Sequence, residues 1–329
     1  LGSHCVQQLL ERGYKVNATA RTVAKCEHLK RLKNADRNLT IFEADLTVPG
    51  SFMAAIDGCV AVLHTASPFF VGGREYKMQK LLEPALAGTK NVFDTCNQID
   101  SVKKVVLTAS TACMYVWYGS KDKDHILTEA DWSDEKRIVE EKNWYSHSKV
   151  QAERFAWEYS KKGNCTFKLA VMNPCLILGP MLQPVLNTSC AAIHGCANVN
   201  EKRSEIENSC KAIVDVRDVA RAHVVAMEKD ESDAEVWGRR FLLMSACPHW
   251  ETIHGWVRDA IGSTLSKHAA ARVATTVSEK IPNVSFGAPP PNQTKFDNSR
   301  SVNVLGLTYT SMEQSGKDNI VSLIEHGFL

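Results

Sequence analysis

From residue 4 to residue 174, short apolar runs alternate with stretches that carry apolar residues at helical spacing. "HCVQQLLERG" has helical spacing and stops at Gly13, and "KVNATAR" is rich in strand formers. "VAKCEHLKRLKN" predicts a helix, "NLTIFEADL" a strand, "SFMAAIDG" a helix and "CVAVLHTAS" a strand. A long helix follows in "YKMQKLLEPALAGTKNVFDTCNQ", then a strand in "KKVVLTAS", a helix over 145–161 and a strand in "FKLAVMNP". Continuous apolar strands separated by helices fit a parallel sheet covered on both faces, because right-handed crossovers place helices on each side. The expected fold is therefore α/β, a doubly wound parallel sheet of Rossmann type, over residues 1–175.

Beyond residue 175 the rhythm becomes irregular. "VDVRDVARAHVVAMEK" and "HWETIHGWVRDAI" predict helices and "GRRFLLMS" a strand. "IPNVSFGAPPPNQTKFDNSRS" predicts a connector before a last helix. Residues 176–329 are expected to form a smaller, interleaved, substrate-binding lobe. The chain opens on Leu1 at the entrance to a helix. The natural start, with any targeting segment, is expected to lie upstream.

Composition narrows the function classes. The formal charge is +2, from 39 basic and 37 acidic residues, with no basic run suited to a phosphate backbone, so nucleic acid is not an expected partner. Apolar runs such as "VAVLHTA" fall far short of the roughly 20 residues that span a bilayer. No membrane partner is expected. Eleven scattered cysteines without a Cys-x-x-Cys pair predict buried free thiols in a reduced, cytoplasmic setting. The cluster Cys190, His194 and Cys196 lacks a fourth ligand, and no metal is expected.

In a doubly wound sheet, ligands bind beyond the carboxyl ends of the strands. Gly2 stands where the last glycine of a pyrophosphate-binding turn would lie, at a helix entrance. About twenty residues on, Arg21 closes a strand, with Lys25 behind it. A basic residue there suits the 2′-phosphate of NADP, where an acidic one would suit NAD. Asp45 and Leu46 end the next strand, at the position for an adenine edge. Thr65, Ala66 and Ser67 end the following one, small enough for a cofactor to approach closely.

A tyrosine is a poor acid-base group at neutral pH unless a cation stabilises its phenolate. Lys149 lies one helical turn from Tyr145 and is positioned to lower its pKa and to reach a ribose hydroxyl. Ser110 ends the strand before that helix, 35 residues ahead of Tyr145. In a parallel sheet it can face the helix start and donate to the carbonyl oxygen that Tyr145 protonates.

With these motifs together, the sequence resembles the extended short-chain dehydrogenase/reductases, within the dihydroflavonol reductase and cinnamoyl-CoA reductase-like group. The likeness runs from "LGSHCVQQLLERGYKVNATAR" through "VVLTAS", "KNWYSHSKVQAE" and "NPCLILGPMLQPVLNTS" to the terminal "LIEHGFL". The resemblance implies Ser110, Tyr145 and Lys149 as the catalytic set. It implies Gly2, Arg21, Lys25, Asp45, Leu46, Thr65, Ala66 and Ser67, with Tyr145 and Lys149, as NADP contacts. It adds the proline-led loop Pro174, Cys175, Leu176 and Ile177, with Ser189 beyond, against the nicotinamide end.

Three departures stand out. The family's opening strand and the first two glycines of its Gly-x-x-Gly-x-x-Gly turn are absent. Tyr115 occupies the position where flavonoid reductases carry Asn or Asp. Ser146, His147 and Ser148 differ from the cinnamoyl-CoA reductase residues. The resemblance implies an NADPH-dependent reductase of a small-molecule aldehyde, ketone or related carbonyl compound, acting as monomer or homodimer. Two alternatives stay open: an NAD-retaining nucleotide-sugar epimerase or dehydratase, and a non-catalytic NADP-sensing protein. His147, Tyr115, Trp117 and Met181 are candidates for the pocket wall or for simple packing.

Overall fold

The computed structural model describes residues 1–67, 79–114, 124–197, 208–265 and 294–329. The first half runs α1 (Gly2–Glu11), β1 (Val16–Ala20), a 3-10 helix (Val23–Arg31), α2 (Ala35–Asn38), β2 (Leu39–Glu43), α3 (Met53–Ile56), β3 (Ala61–His64), α4 (Gln79–Gln98) and β4 (Lys104–Thr108). After a 3-10 turn (Thr111–Cys113) come β5 (Ile126–Leu127), α5 (Glu135–Glu140), α6 (Trp144–Ser160), β6 (Lys168–Pro174) and β7 (Leu176–Leu178). The remainder is α7 (Thr188–Ala197), β8 (Ile213–Asp215), α8 (Val216–Glu228), β9 (Arg240–Leu243), α9 (Trp250–Leu265), β10 (Lys295–Phe296), α10 (Ser299–Leu305) and α11 (Met312–Glu325).

The fold is α/β with parallel sheets, as the alternation predicts. The main sheet has the order β3-β4-β6-β9, every pair parallel, and β1 pairs with β2 in a second parallel sheet. Between β1 and β3 runs a cleft of about 710 Å³, lined by both strands and α1. The central strands are apolar on both faces because helices cover both. On one face Phe93 of α4 meets Tyr159 of α6 and Phe167 edge-on, with centroids 5.5 and 5.2 Å away. On the other, Val219, Ala222 and Ala226 of α8 pack on Val106, Ala170, Met172 and Phe241. Burying each of the larger apolar side chains here, such as Phe93, Met172, Val219 and Phe241, contributes about 1.5–3 kcal/mol. A third cluster joins α7, α9 and α11 through Ile193, Ile253, Val257, Ile261, Ile320 and Leu323.

Several element predictions need correction. The stretch 23–34 forms a 3-10 helix over Val23–Arg31, because its inward residues Cys26, Leu29 and Leu32 recur every three positions, the 3-10 repeat. The helix expected in "SFMAAIDG" shrinks to one turn. "VDVRDVARAHVVAMEK" begins in a strand, and its Asp215 caps α8 by accepting from the Arg217 N–H at 2.7 Å. The "GRRFLLMS" strand joins the main sheet beside β6, so the main sheet draws on chain beyond residue 175. The end of the expected connector holds β10 and the start of α10, while residues 281–293 of it lie outside the described residues.

Candidate active site

The carboxyl ends of β3, β4 and β6 converge on the start of α6 around a cleft of about 610 Å³. Helix α6 starts where it does because Asn143 caps it, its side-chain oxygen accepting from the Ser146 N–H at 3.2 Å. That start brings Tyr145 into the cleft wall with Lys149 one turn behind it. β4 ends at Thr108, and two residues later the Ser110 side chain accepts from the Ala112 N–H at 3.1 Å, capping the 3-10 turn. Ser110 thereby enters the same cleft as Tyr145, whose hydroxyl its side chain influences. The three residues read as a catalytic set are brought together.

Their electrostatics differ from the expectation in one respect. Burial pushes the Tyr145 hydroxyl up to about 12, and the Ser110 side chain pulls only weakly the other way. Lys149 does not bring it down to the neutral range. The lysine Nζ sits 5.9 Å from the Tyr145 ring centroid and donates to the Ser67 Oγ at 2.9 Å, and its own pKa is lowered by burial. The reason is desolvation: burial disfavours the charged form of each group, raising the tyrosine and lowering the lysine. At neutral pH Tyr145 holds its proton. Lys149 is nearly buried, and its charge also helps to hold His64 neutral, where burial first drives the imidazole down to about 4.

The other sequence-predicted residues fall into groups. Thr65, Ser67, Pro174, Cys175, Leu176, Ile177 and Ser189 line the 610 Å³ cleft with Ser110, Tyr145 and Lys149. Leu176–Leu178 forms β7, paired with β8, so the proline-led stretch is a strand and not a free loop. Gly2, Lys25, Thr65 and Ala66 line the 710 Å³ cleft. At Gly2 a Cβ would stand 3.2 Å from the Thr65 Oγ1, so the first turn of α1 packs directly on the end of β3.

Arg21 is exposed at the end of β1, and its charge reaches Asp45. Asp45 lines neither large cleft. Its carboxylate accepts from the Thr47 N–H at 2.8 Å and the Thr47 hydroxyl at 2.7 Å, bonds that hold it below the usual carboxylate range. Leu46 packs against Gly88 of α4, where a Cβ would come within 3.0 Å of its own.

His147 lies outside the cleft wall, its ring edge-on to Trp144 at 6.4 Å. Met181 is buried in the cluster of α7, α9 and α11, its N–H donating to the Ser322 Oγ at 2.9 Å. Both are packing residues. Tyr115 and Trp117 lie outside the described residues. Cys190 and His194 of α7 turn to Asn319 and to the Phe328 carbonyl. All eleven cysteines are free thiols, and among the described residues no group of three metal-ligating side chains forms. No helix among the described residues is long and apolar enough to cross a membrane.

Sequence reading missed Asn143, Asn187, Thr188 and Lys211, which also line the cleft. Asn143 had a signal, a capping residue two positions before Tyr145. Lys211 had none, since tertiary packing alone brings it there.

The sequence pattern of the NAD dependent epimerase/dehydratase family matches residues 1–238. The chain belongs to that family. Within it, the chain is 33% identical to cinnamoyl-CoA reductase CAD2 of Medicago truncatula over 333 residues, covering 100% of this chain and 94% of that protein. The structure of Gre2 from Candida albicans in complex with NADPH superposes with a TM-score of 0.82 at 30% identity, covering 98% of this chain and 95% of that one. Yeast methylglyoxal/isovaleraldehyde reductase Gre2 complexed with NADPH gives 0.81 at 26% identity, over 99% and 96% of the two chains. This epimerase/dehydratase-family member thus shares its whole described fold with reductases and has the Ser110, Tyr145 and Lys149 constellation at one cleft.

Proposed function

We propose that the protein is an NADPH-dependent reductase of a small-molecule aldehyde, ketone or related carbonyl compound. The observation that carries this reading is the convergence of Ser110, Tyr145 and buried Lys149, one turn from Tyr145, in the wall of a single 610 Å³ cleft. The reductase relatives and the NADPH complexes of both Gre2 structures support it.

The residues present suit the dinucleotide. The Gly2 backbone lies at the amino end of α1, tight against Thr65, and offers the close approach a pyrophosphate needs. Arg21 is an exposed cation at a strand end, suited to a 2′-phosphate, with Lys25 nearby. Lys149 and Ser67 would hold the ribose end, and Pro174 to Ile177 with Ser189 would flank the nicotinamide. Bound NADPH supplies the hydride that goes to the carbonyl carbon.

Everything else falls to this chain's own side chains. Ser110 donates to the carbonyl oxygen and polarises it. Tyr145, protonated at neutral pH, gives its proton to the same oxygen. Lys149 holds the ribose hydroxyls and keeps a positive charge beside the phenolate that forms. Leu176 and Ile177 exclude water from one side of the cleft.

The test is a spectrophotometric screen of NADPH oxidation over aldehydes, ketones and acyl-CoA thioesters, repeated with NADH. Turnover of at least one class with a clear preference for NADPH is expected. No turnover of any class, or equal rates with NADH, would contradict the proposal.

A further inference from the structure

A fully buried asparagine lies behind Ser110. Asn173 is the penultimate residue of β6, just before Pro174, and its Nδ2 donates both to the Ser110 carbonyl at 3.1 Å and to the Glu153 Oε2 at 2.8 Å. The backbone explains why a side chain is needed there. β4 and β6 run in register with Thr108 opposite Met172, and the Ala109 N–H still donates to the Met172 carbonyl at 2.8 Å. The next ladder bond would come from the N–H of residue 174, and proline has none. The ladder between β4 and β6 therefore stops one residue short of Ser110, and the Asn173 side chain fastens the strand end in its place.

The asparagine is itself held from behind. Glu153 is fully buried two turns along α6 from Tyr145 and accepts from the Arg240 Nε at 2.6 Å as well as from Asn173. Arg240 is fixed by the carbonyls of Glu129 and Asp131, at 3.0 and 2.6 Å, and lies 4.0 Å from the Trp132 ring centroid. This arrangement is expensive in stability. The Asn173 Oδ1 is buried without a hydrogen-bond partner among the described residues. Such an orphan acceptor costs stability, and a buried ion pair is a weak source of stability against a well-packed apolar core. An apolar residue would suit the core better, so the donors of Asn173 point to a different role.

Resting on the reductase reading, we propose that Asn173, braced by the Glu153–Arg240 pair, is the positioning residue for Ser110. It fixes the strand end from which the hydroxyl reaches the substrate carbonyl.

The test is a double-mutant cycle. Asn173→Leu removes both donors, and Asn173→Asp keeps the shape while turning them into acceptors. Each is compared in the wild-type and Ser110→Ala backgrounds for kcat and KM. Either change is expected to lower kcat by about 10- to 100-fold with the NADPH KM unchanged, and by no more than about 2-fold once Ser110 is alanine. Hydrogen exchange at the Ala112 and Cys113 amides, which bond to Ser110, is expected to quicken in both variants without cofactor. Equal losses in both backgrounds, or unchanged exchange, would overturn the positioning role while leaving the reductase reading in place. A Ser110→Ala enzyme as active as wild type would instead overturn the assignment of Ser110, and this inference with it.

Discussion

The Lys149 Nζ donates to the Ser67 Oγ at 2.9 Å and ties the helix that carries Tyr145 to the carboxyl end of β3. This bond joins the two halves of the proposed site, since Ser67 lies on the cofactor side and Tyr145 on the substrate side. Replacing Lys149 with Met removes it together with the cation proposed to hold the ribose. Each charge-assisted hydrogen bond is worth about 1.5–3 kcal/mol, so the KM for NADPH should rise by roughly 10- to 100-fold. Steady-state kinetics measure this, and Lys149→Arg should not restore the wild-type value because a planar fork does not replace a point charge in a buried slot.

The proposed preference for NADPH rests on Arg21. An exposed cation at the end of β1 with no side-chain hydrogen bond or ion pair among the described residues, it should leave the melting temperature unchanged on removal. Arg21→Ala should weaken NADPH about tenfold, the loss of one phosphate contact, while NADH changes little. Fluorescence titration with the two cofactors separates the cases.

Three buried histidines give the protein an acid limit. His4, His64 and His223 are held near a pKa of about 4 by burial, against 6.5 for an ordinary imidazole. The unfolded chain takes up these protons first as pH falls. Stability is therefore complete above pH 6.5 and is lost as the pH drops toward 4, by roughly 3 kcal/mol per histidine. Chemical denaturation across that range should follow this slope, and His223→Gln, next to Thr108, should make it shallower.

Glu153 and Arg240 form a buried pair, and removing one partner strands the other charge. Arg240→Met should cost about 3–5 kcal/mol in urea unfolding. Glu153→Met combined with Arg240→Met should recover most of that loss, because the uncompensated charge is then gone.

Much of this architecture is legible in the sequence because it rests on local patterns. β4 and β6 are continuous apolar runs, and the Tyr145 to Lys149 spacing is one helical turn. Ser110 needed only the knowledge that parallel strand ends meet helix starts. What escaped depends on tertiary environment. The 3-10 form of 23–31 follows from a three-residue burial repeat that reads as a helix at lower detail. The placement of β9 beside β6 comes from a strand more than sixty residues downstream. The raised Tyr145 pKa reflects desolvation, which sequence spacing cannot express, so the proximity of a lysine suggested the opposite sign. Asn173 read as part of a strand until its partners Glu153 and Ser110 were seen together.

The most direct measurement is single-turnover NADPH oxidation by Tyr145→Phe, using a carbonyl compound that the wild-type enzyme reduces. Because Tyr145 keeps its proton up to about 12, wild-type reduction should be flat between about pH 6 and 9. Losing the donor should slow the chemical step by about 10²- to 10⁴-fold while the Kd for NADPH stays within roughly twofold. A Tyr145→Phe enzyme that reduces the carbonyl at the wild-type rate would contradict the assignment of Tyr145 as proton donor.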